Sequence, residues 1–282
     1  MIKRITLYII AILLVAGTAW AGITFDGVDD TATSSNFDLG LNGATELSIA
    51  FRVYVYSDTG GYSEPVIKYG ADGVAPVGIA IVNQATGFGG EFFGYSLHSY
   101  EVDYGFTTPV SYNATHTLVF TWKRNNGTIS DFGIYVDGSV QADAVINTDW
   151  CDYPTYYASY SASDGSHPMY LGDTPWGDAP HIILEEVAIW NIQLTQAEAQ
   201  SFGSGTLATS IQSGNLKGYW RLNDGTVGTS ADGDTLSDGS GNSHNLTGAD
   251  GANNSGLTWT ASLLGSTPVP VFLHHYEMLR RN

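Results

Sequence analysis

The 282-residue chain has a single cysteine, Cys151, so no internal disulfide can form and stability must come from a packed core. With Trp150 and Tyr153 beside it, Cys151 reads as a small buried hydrophobe, the alternatives being an intermolecular bridge or a reactive thiol. Basic residues are scarce: Lys and Arg total 10 against 28 Asp and Glu, a formal charge of −18. A surface this negative repels phosphate backbones and excludes a nucleic-acid partner, while leaving carboxylates for hard cations such as calcium. Charged residues make up only 13 %, too few for a helical bundle or a solvated disordered tail. The leading apolar run, residues 5–15, falls short of the roughly 20 residues that span a bilayer. Lys3 and Arg4 precede it and Ala19-Trp20-Ala21 follows, so residues 1–21 read as a signal peptide, the alternative being an uncleaved anchor. A secreted or cell-surface protein with no membrane span after cleavage is expected.

Glycine is plentiful at 34 residues and aromatics reach 12 %, which suits an aromatic-rich β-sandwich with tight turns. Residues 46–56 alternate Leu47, Ile49, Phe51, Val53 and Val55 with Ser48, Ala50, Arg52, Tyr54 and Tyr56, an amphipathic strand. Leu118, Phe120 and Trp122 alternate with Thr117, Val119 and Thr121, and Asp137-Gly138 supplies a hairpin turn after residues 132–136. Residues 23–25, 66–69, 77–82 and 92–97 are further strand candidates. Residues 181–190 read as a strand apolar on both faces, interrupted by Glu185 and Glu186, whose burial is costly unless neutralised. Thr195 and Glu198 form a capping box, Leu194 sits at the staple position, and Gly203 and Gly205 end the short helix.

Four stretches in order carry a family resemblance: Phe25-Asp26-Gly27-Val28-Asp29-Asp30; residues 116–122 with Ile134-Tyr135-Val136-Asp137-Gly138; Met169-Tyr170-Leu171-Gly172; and residues 184–191 with Leu194-Thr195-Gln196-Ala197-Glu198. Together they resemble the laminin-G-like jelly rolls of the concanavalin A-like group. The resemblance implies an all-β jelly-roll sandwich over residues 22–205, with a short helix. A Gly218-Tyr219-Trp220 strand and an Asp238-Gly239-Ser240-Gly241-Asn242 turn also resemble the family, but they follow the closing helix instead of preceding the opening motif. Residues 206–266 are therefore expected as a C-terminal extension packed on the sandwich, and 267–282, after Pro268 and Pro270, as a tail.

Members of this broad fold include glycan hydrolases, whose retaining forms need two acids at Glu-x-Asp-x-x-Glu spacing. Here Glu101-Val102-Asp103 is followed by Phe106 where the third acid belongs, and the neighbours Glu185 and Glu186 are expected to point to opposite faces. No enzymatic activity is expected. Asp26, Asp29 and Asp30, with Glu185 from the adjacent strand that the resemblance implies, form a candidate calcium site; the alternative is that these acids accept backbone hydrogen bonds in turns. The Asp232–Asn242 stretch fails the EF-hand spacing in both registers, because Leu236 falls on a ligand position. Between residues 150 and 176, Trp150, Tyr153, Tyr156, Tyr157 and Trp176 crowd a Pro-, Ser- and Gly-rich loop, either a stacking platform for sugars or a packed lid. A non-catalytic extracellular module that binds a glycan or a surface protein is the expectation. A structural, self-associating protein of an envelope, filament or virion is the alternative, and a divergent glycoside hydrolase a third.

Overall fold

The computed structural model describes residues 21–41, 44–56, 64–69, 79–86, 90–96, 104–106, 110–123, 131–140, 144–146, 168–172, 180–252 and 256–261. The signal segment to residue 20, the loop residues Trp150, Tyr153, Tyr156, Tyr157 and Trp176, Cys151, Glu101-Val102-Asp103 and the 267–282 tail lie outside the described residues. Among the described residues, no helix is long and apolar enough to cross a membrane.

Two antiparallel sheets face each other. The first contains β1 (Ala21–Asp26), β3 (Glu46–Val55), β8 (Ala114–Lys123), β9 (Asp131–Val136), β10 (Ser139–Val140), β13 (His181–Trp190), β14 (Leu216–Trp220) and β17 (Thr258–Ala261), in the order β10-β9-β8-β3-β13-β1-β17 with β14 also on β13. The second contains β2 (Thr31–Thr33), β4 (Glu64–Tyr69), β5 (Ile79–Thr86), β6 (Gly90–Ser96), β7 (Tyr104–Phe106), β11 (Ala144–Ile146), β12 (Met169–Gly172), β15 (Thr235–Leu236) and β16 (Leu246–Ala249), in the order β11-β7-β6-β5-β4-β12-β2-β16-β15. The period-2 alternation places Leu47, Ile49, Phe51, Val53 and Val55 of β3, and Leu118, Phe120 and Trp122 of β8, in the core between the sheets. Asp137 and Gly138 turn the β9–β10 hairpin with φ of 52° and 74°, the left-handed pair that a two-residue turn of this kind requires.

The opposite face of β3 is not a solvent face. Ala50, Val119, Ala188 and Trp190 pack with Leu194, Ala199, Phe202, Ile211 and Tyr219 in a second apolar cluster. Its cover is helix α1 (Gln196–Gly203) and the 3-10 turns that follow. The capping box starts α1 as the sequence predicts: the Thr195 amide donates to Glu198 Oε2 at 2.8 Å and the Glu198 amide to Thr195 Oγ1 at 3.3 Å. Gly205, at φ 98°, lies just beyond its end. Ser48 is consequently buried, donating to the Ile192 carbonyl at 2.8 Å and accepting from the Leu194 amide at 2.9 Å.

The segment beyond Gly205 is woven into the sandwich, which corrects the expectation of a C-terminal extension packed on the sandwich. β14 pairs with β13, β17 with β1, and β16 with β2, so both sheets take strands from it. Trp220 and Trp259 from this segment belong to the same core as Phe25 and Phe51. Their indoles donate to the His244 carbonyl at 2.8 Å and to Asp234 Oδ2 at 2.7 Å.

Candidate metal centre

β1 ends at Asp26, opposite His181 of β13, and the chain turns through Gly27 at φ 81° before entering β2 in the other sheet. The turn folds its acids inward. The Asp26 amide donates to Asp30 Oδ2 at 2.8 Å and the Val28 amide to Asp26 Oδ1 at 2.9 Å. One carboxylate oxygen each from Asp26, Asp29 and Asp30 lies within 4.8 Å of the others. Calcium binds oxygens at 2.3–2.6 Å, so ligands of one ion lie at most about 5 Å apart, and these three satisfy that bound. Asp30 is wholly enclosed and its Oδ1 accepts no hydrogen bond. Burial, joined by the charges of Asp26, Asp250 and Asp29, pushes the Asp30 carboxyl up to about 7, although the Asp26 amide pulls the other way. A carboxylate held this way is stabilised either by a proton or by a cation, and the donor set is all oxygen, as calcium requires.

The close approach of the second sheet depends on Gly172. A Cβ there would lie 2.3 Å from Phe25 Cδ1 and 2.8 Å from the Asp30 carbonyl oxygen, so this glycine at the end of β12 admits the opening motif against it. The acids of the Asp232–Asn242 stretch are used otherwise. Asp238 accepts from the Tyr219, Ser240 and His244 amides, Asp232 from the Asp250 amide, and Asp234 from Trp259.

Glu185 does not join Asp26, Asp29 and Asp30. β1 pairs residue by residue with His181 through Leu184, so Glu185 lies beside Gly22, whose added Cβ would be 3.0 Å from Glu185 Cγ. Gly22 and Asp26 are four residue steps apart along the strand, about 13 Å at roughly 3.3 Å each. The register between β13 and β3 shifts between Leu184 and Glu186, and β13's other edge is shared, β1 covering 181–184 and β14 covering 187–190. This bulge also corrects the expectation that the two glutamates point to opposite faces, since both side chains lie on the side away from the main core.

Both glutamates are fully buried. Glu186 Oε2 is 3.2 Å from Arg52 Nε, and the Tyr219 hydroxyl donates to Glu186 Oε1 at 2.5 Å. Arg52 Nη2 donates in turn to the Phe202 carbonyl at 2.5 Å, and the guanidinium lies 5.0 Å from the Phe202 ring centre. Burial raises the Glu186 carboxyl against the opposing pull of Arg52, Tyr219 and Arg221, and the Tyr219 hydroxyl is raised by burial and by Glu186. The cation paired with Glu186 is thus an arginine from β3, which sequence distance concealed.

No family model and no curated protein matches the chain. Among solved structures, it is similar to a proposed carbohydrate-binding protein from Bacteroides ovatus, at 16 % identity and a TM-score of 0.52, over 86 % of this chain. The chain spans 60 % of that protein's length. A heptameric pentraxin from Limulus polyphemus matches at 11 % identity and TM-score 0.46, over 65 % of this chain and 81 % of its own. Domain 4 of an extracellular arabinanase from Geobacillus stearothermophilus, in complex with arabinotriose, matches at 14 % identity and TM-score 0.41, over 64 % of this chain and 76 % of its own. What the likeness establishes is the fold, a two-sheet antiparallel β-sandwich of the jelly-roll kind.

Proposed function

We propose that the protein is a secreted, non-catalytic binding module of the laminin-G-like type that recognises carbohydrate, with a calcium ion at Asp26, Asp29 and Asp30. The observation that carries the metal reading is Asp30, enclosed among acids with one oxygen that accepts no hydrogen bond. The ion would be held by carboxylates of the β1–β2 turn and would supply the positive charge that lets all three stay ionised together. It would fix the turn that joins the two sheets at this end of the sandwich. The carbohydrate reading is supported by the likeness to the Bacteroides ovatus protein, and the stacking residues proposed for it are Trp150, Tyr153, Tyr156, Tyr157 and Trp176. The non-catalytic reading is supported by the enclosure of Glu185 and Glu186, neither of which a substrate could reach.

A glycan array probed with the secreted chain, with and without chelator, tests the proposal. Specific sugar binding that weakens on chelation is the expected result. Absence of binding to every glycan, together with concentration-dependent assembly, would replace it with the structural-protein reading. Hydrolysis of any bound glycan would overturn the non-catalytic assignment.

A further inference from the structure

A second group of polar side chains converges away from the acid turn, where the entry to β8 meets the β9–β10 hairpin. The turn before β8 presents Ser111 to solvent, and it is held by Asn113, at φ 54°, whose amide donates to the Val55 carbonyl at 2.7 Å. His116 is the third residue of β8, opposite Val53 of β3. Asp137 comes from the hairpin turn, and its backbone is tied to β8: its amide donates to the Thr117 carbonyl at 2.8 Å. The Thr117 amide in turn donates to Asp137 Oδ1 at 2.9 Å, which aims Oδ2 at His116 Nδ1, 2.9 Å away. His116 Nε2 then lies 3.0 Å from Ser111 Oγ. Burial alone would raise the Asp137 carboxyl, but the hydrogen bonds from His116 and the Thr117 amide hold it below its ordinary value, so it is ionised at neutral pH. A carboxylate here accepts the Nδ1 proton and fixes the neutral imidazole with its Nε2 lone pair towards Ser111, whose hydroxyl donates to it. The His116 side chain is only 13 % exposed, while Ser111 faces solvent, so the base is sheltered and the hydroxyl is open to a ligand.

We infer that Ser111, His116 and Asp137 form a nucleophilic triad that hydrolyses carboxylic esters. Ser111 is the nucleophile, His116 the general base and then the general acid, and Asp137 the residue that positions the imidazole. Ser111 Oγ attacks the ester carbonyl carbon as His116 Nε2 takes its proton. The carbon–oxygen bond to the alcohol breaks, and the alcohol leaves with the proton from His116. Water then attacks the acyl carbon, giving a proton to His116, and the acid departs as Ser111 regains its proton. Water is the only co-reactant and nothing is oxidised or reduced. The formal charge of −18 disfavours anionic substrates, so the ester is an uncharged one. The inference goes beyond the binding-module reading, whose non-catalytic assignment rests on Glu185 and Glu186 and concerns the glycosidic bond; the bond broken here is an ester.

Hydrolysis of p-nitrophenyl acetate by the full chain, together with labelling by a fluorophosphonate and peptide mass spectrometry, tests this. The wild type should turn the ester over and take the label at Ser111. Ser111→Ala, a change at an exposed position, should keep the melting temperature, lose the label and lower kcat about 100-fold or more. Asp137→Asn preserves the turn, because asparagine tolerates left-handed backbone. It should slow both labelling and kcat about 100-fold or more with KM unchanged, an effect that a purely structural role for Asp137 would not produce. Turnover by Ser111→Ala equal to that of the wild type would overturn the inference, as would label at residues other than Ser111 or labelling of Ser111 without turnover. Should Asp137→Asn fail to fold, the comparison of wild type with Ser111→Ala decides. None of these results bears on calcium or glycan binding, so the inference and the binding reading fail separately.

Discussion

Arg52 and Glu186 show how a single residue can make a strand tenable. Each sits on a strand that is buried on both faces, and each answers the other's charge at 3.2 Å. Removing Arg52 by Arg52→Met leaves Glu186 buried and without its cation, and should destabilise the protein by about 3–5 kcal/mol in chemical denaturation. The double change Arg52→Met with Glu186→Leu should recover most of that loss, because the pair rather than either charge is what the fold tolerates. Additive losses in the double variant would contradict the pairing. Asp30 gives a second prediction, for the metal-free protein. Its folded carboxyl titrates near 7, against an ordinary value of 3.8, so the folded state holds a proton that the unfolded state releases. Stability from this group is therefore present at low pH and lost as pH rises through about 7. In chelator, the melting temperature should fall between pH 5 and pH 7.5 through this group's contribution, and Asp30→Asn should flatten that slope; an unchanged slope contradicts the assignment. Both residues were visible in the sequence as anomalies, Glu186 as an acid inside an apolar run and Asp30 as one of three close acids. The partner of Glu186, Arg52, was not, because nothing local in a sequence links residues more than 130 positions apart.

The elements divide by length in what their sequence reveals. β3 and β8 each span 10 residues, and their alternation predicts both their existence and their inward face. The hidden outward face of β3 was not legible, since it depends on where α1 settles. β2, β7, β10, β11 and β15 have two or three residues each, too short for any period to show. Helix α1 is legible from its cap alone. Thr195→Ala should cost about 1 kcal/mol, because it leaves the Glu198 amide without its acceptor. The loss should rise with the cover that α1 provides over Trp190 and Ala50, so a change below a few tenths of a kcal/mol would mean that the helix is held by packing alone.

On the scale of the whole molecule, the sequence places the boundary of the sandwich too early. The Gly218-Tyr219-Trp220 and Asp238–Asn242 stretches are recognisable as jelly-roll parts, but their late position in the chain hides that they complete the two sheets. The register shows why they must: β13's edge is half covered by β1 and half by β14, and neither alone would satisfy it. The same convergence brings Gly251 against Asp29, and Gly256 against Asp26 and Asp30, at one end of the sandwich, where the proposed calcium ion sits. An ion that binds only the folded state at 100 times its dissociation constant adds about 2.7 kcal/mol. For a protein of this size that corresponds to a shift of roughly 5–10 °C in melting temperature. The decisive measurement is the thermal unfolding of protein shown by elemental analysis to carry one calcium per chain, before and after chelation at pH 7.5. A drop of that order is expected; an equal melting temperature in the two states would contradict a bound calcium ion.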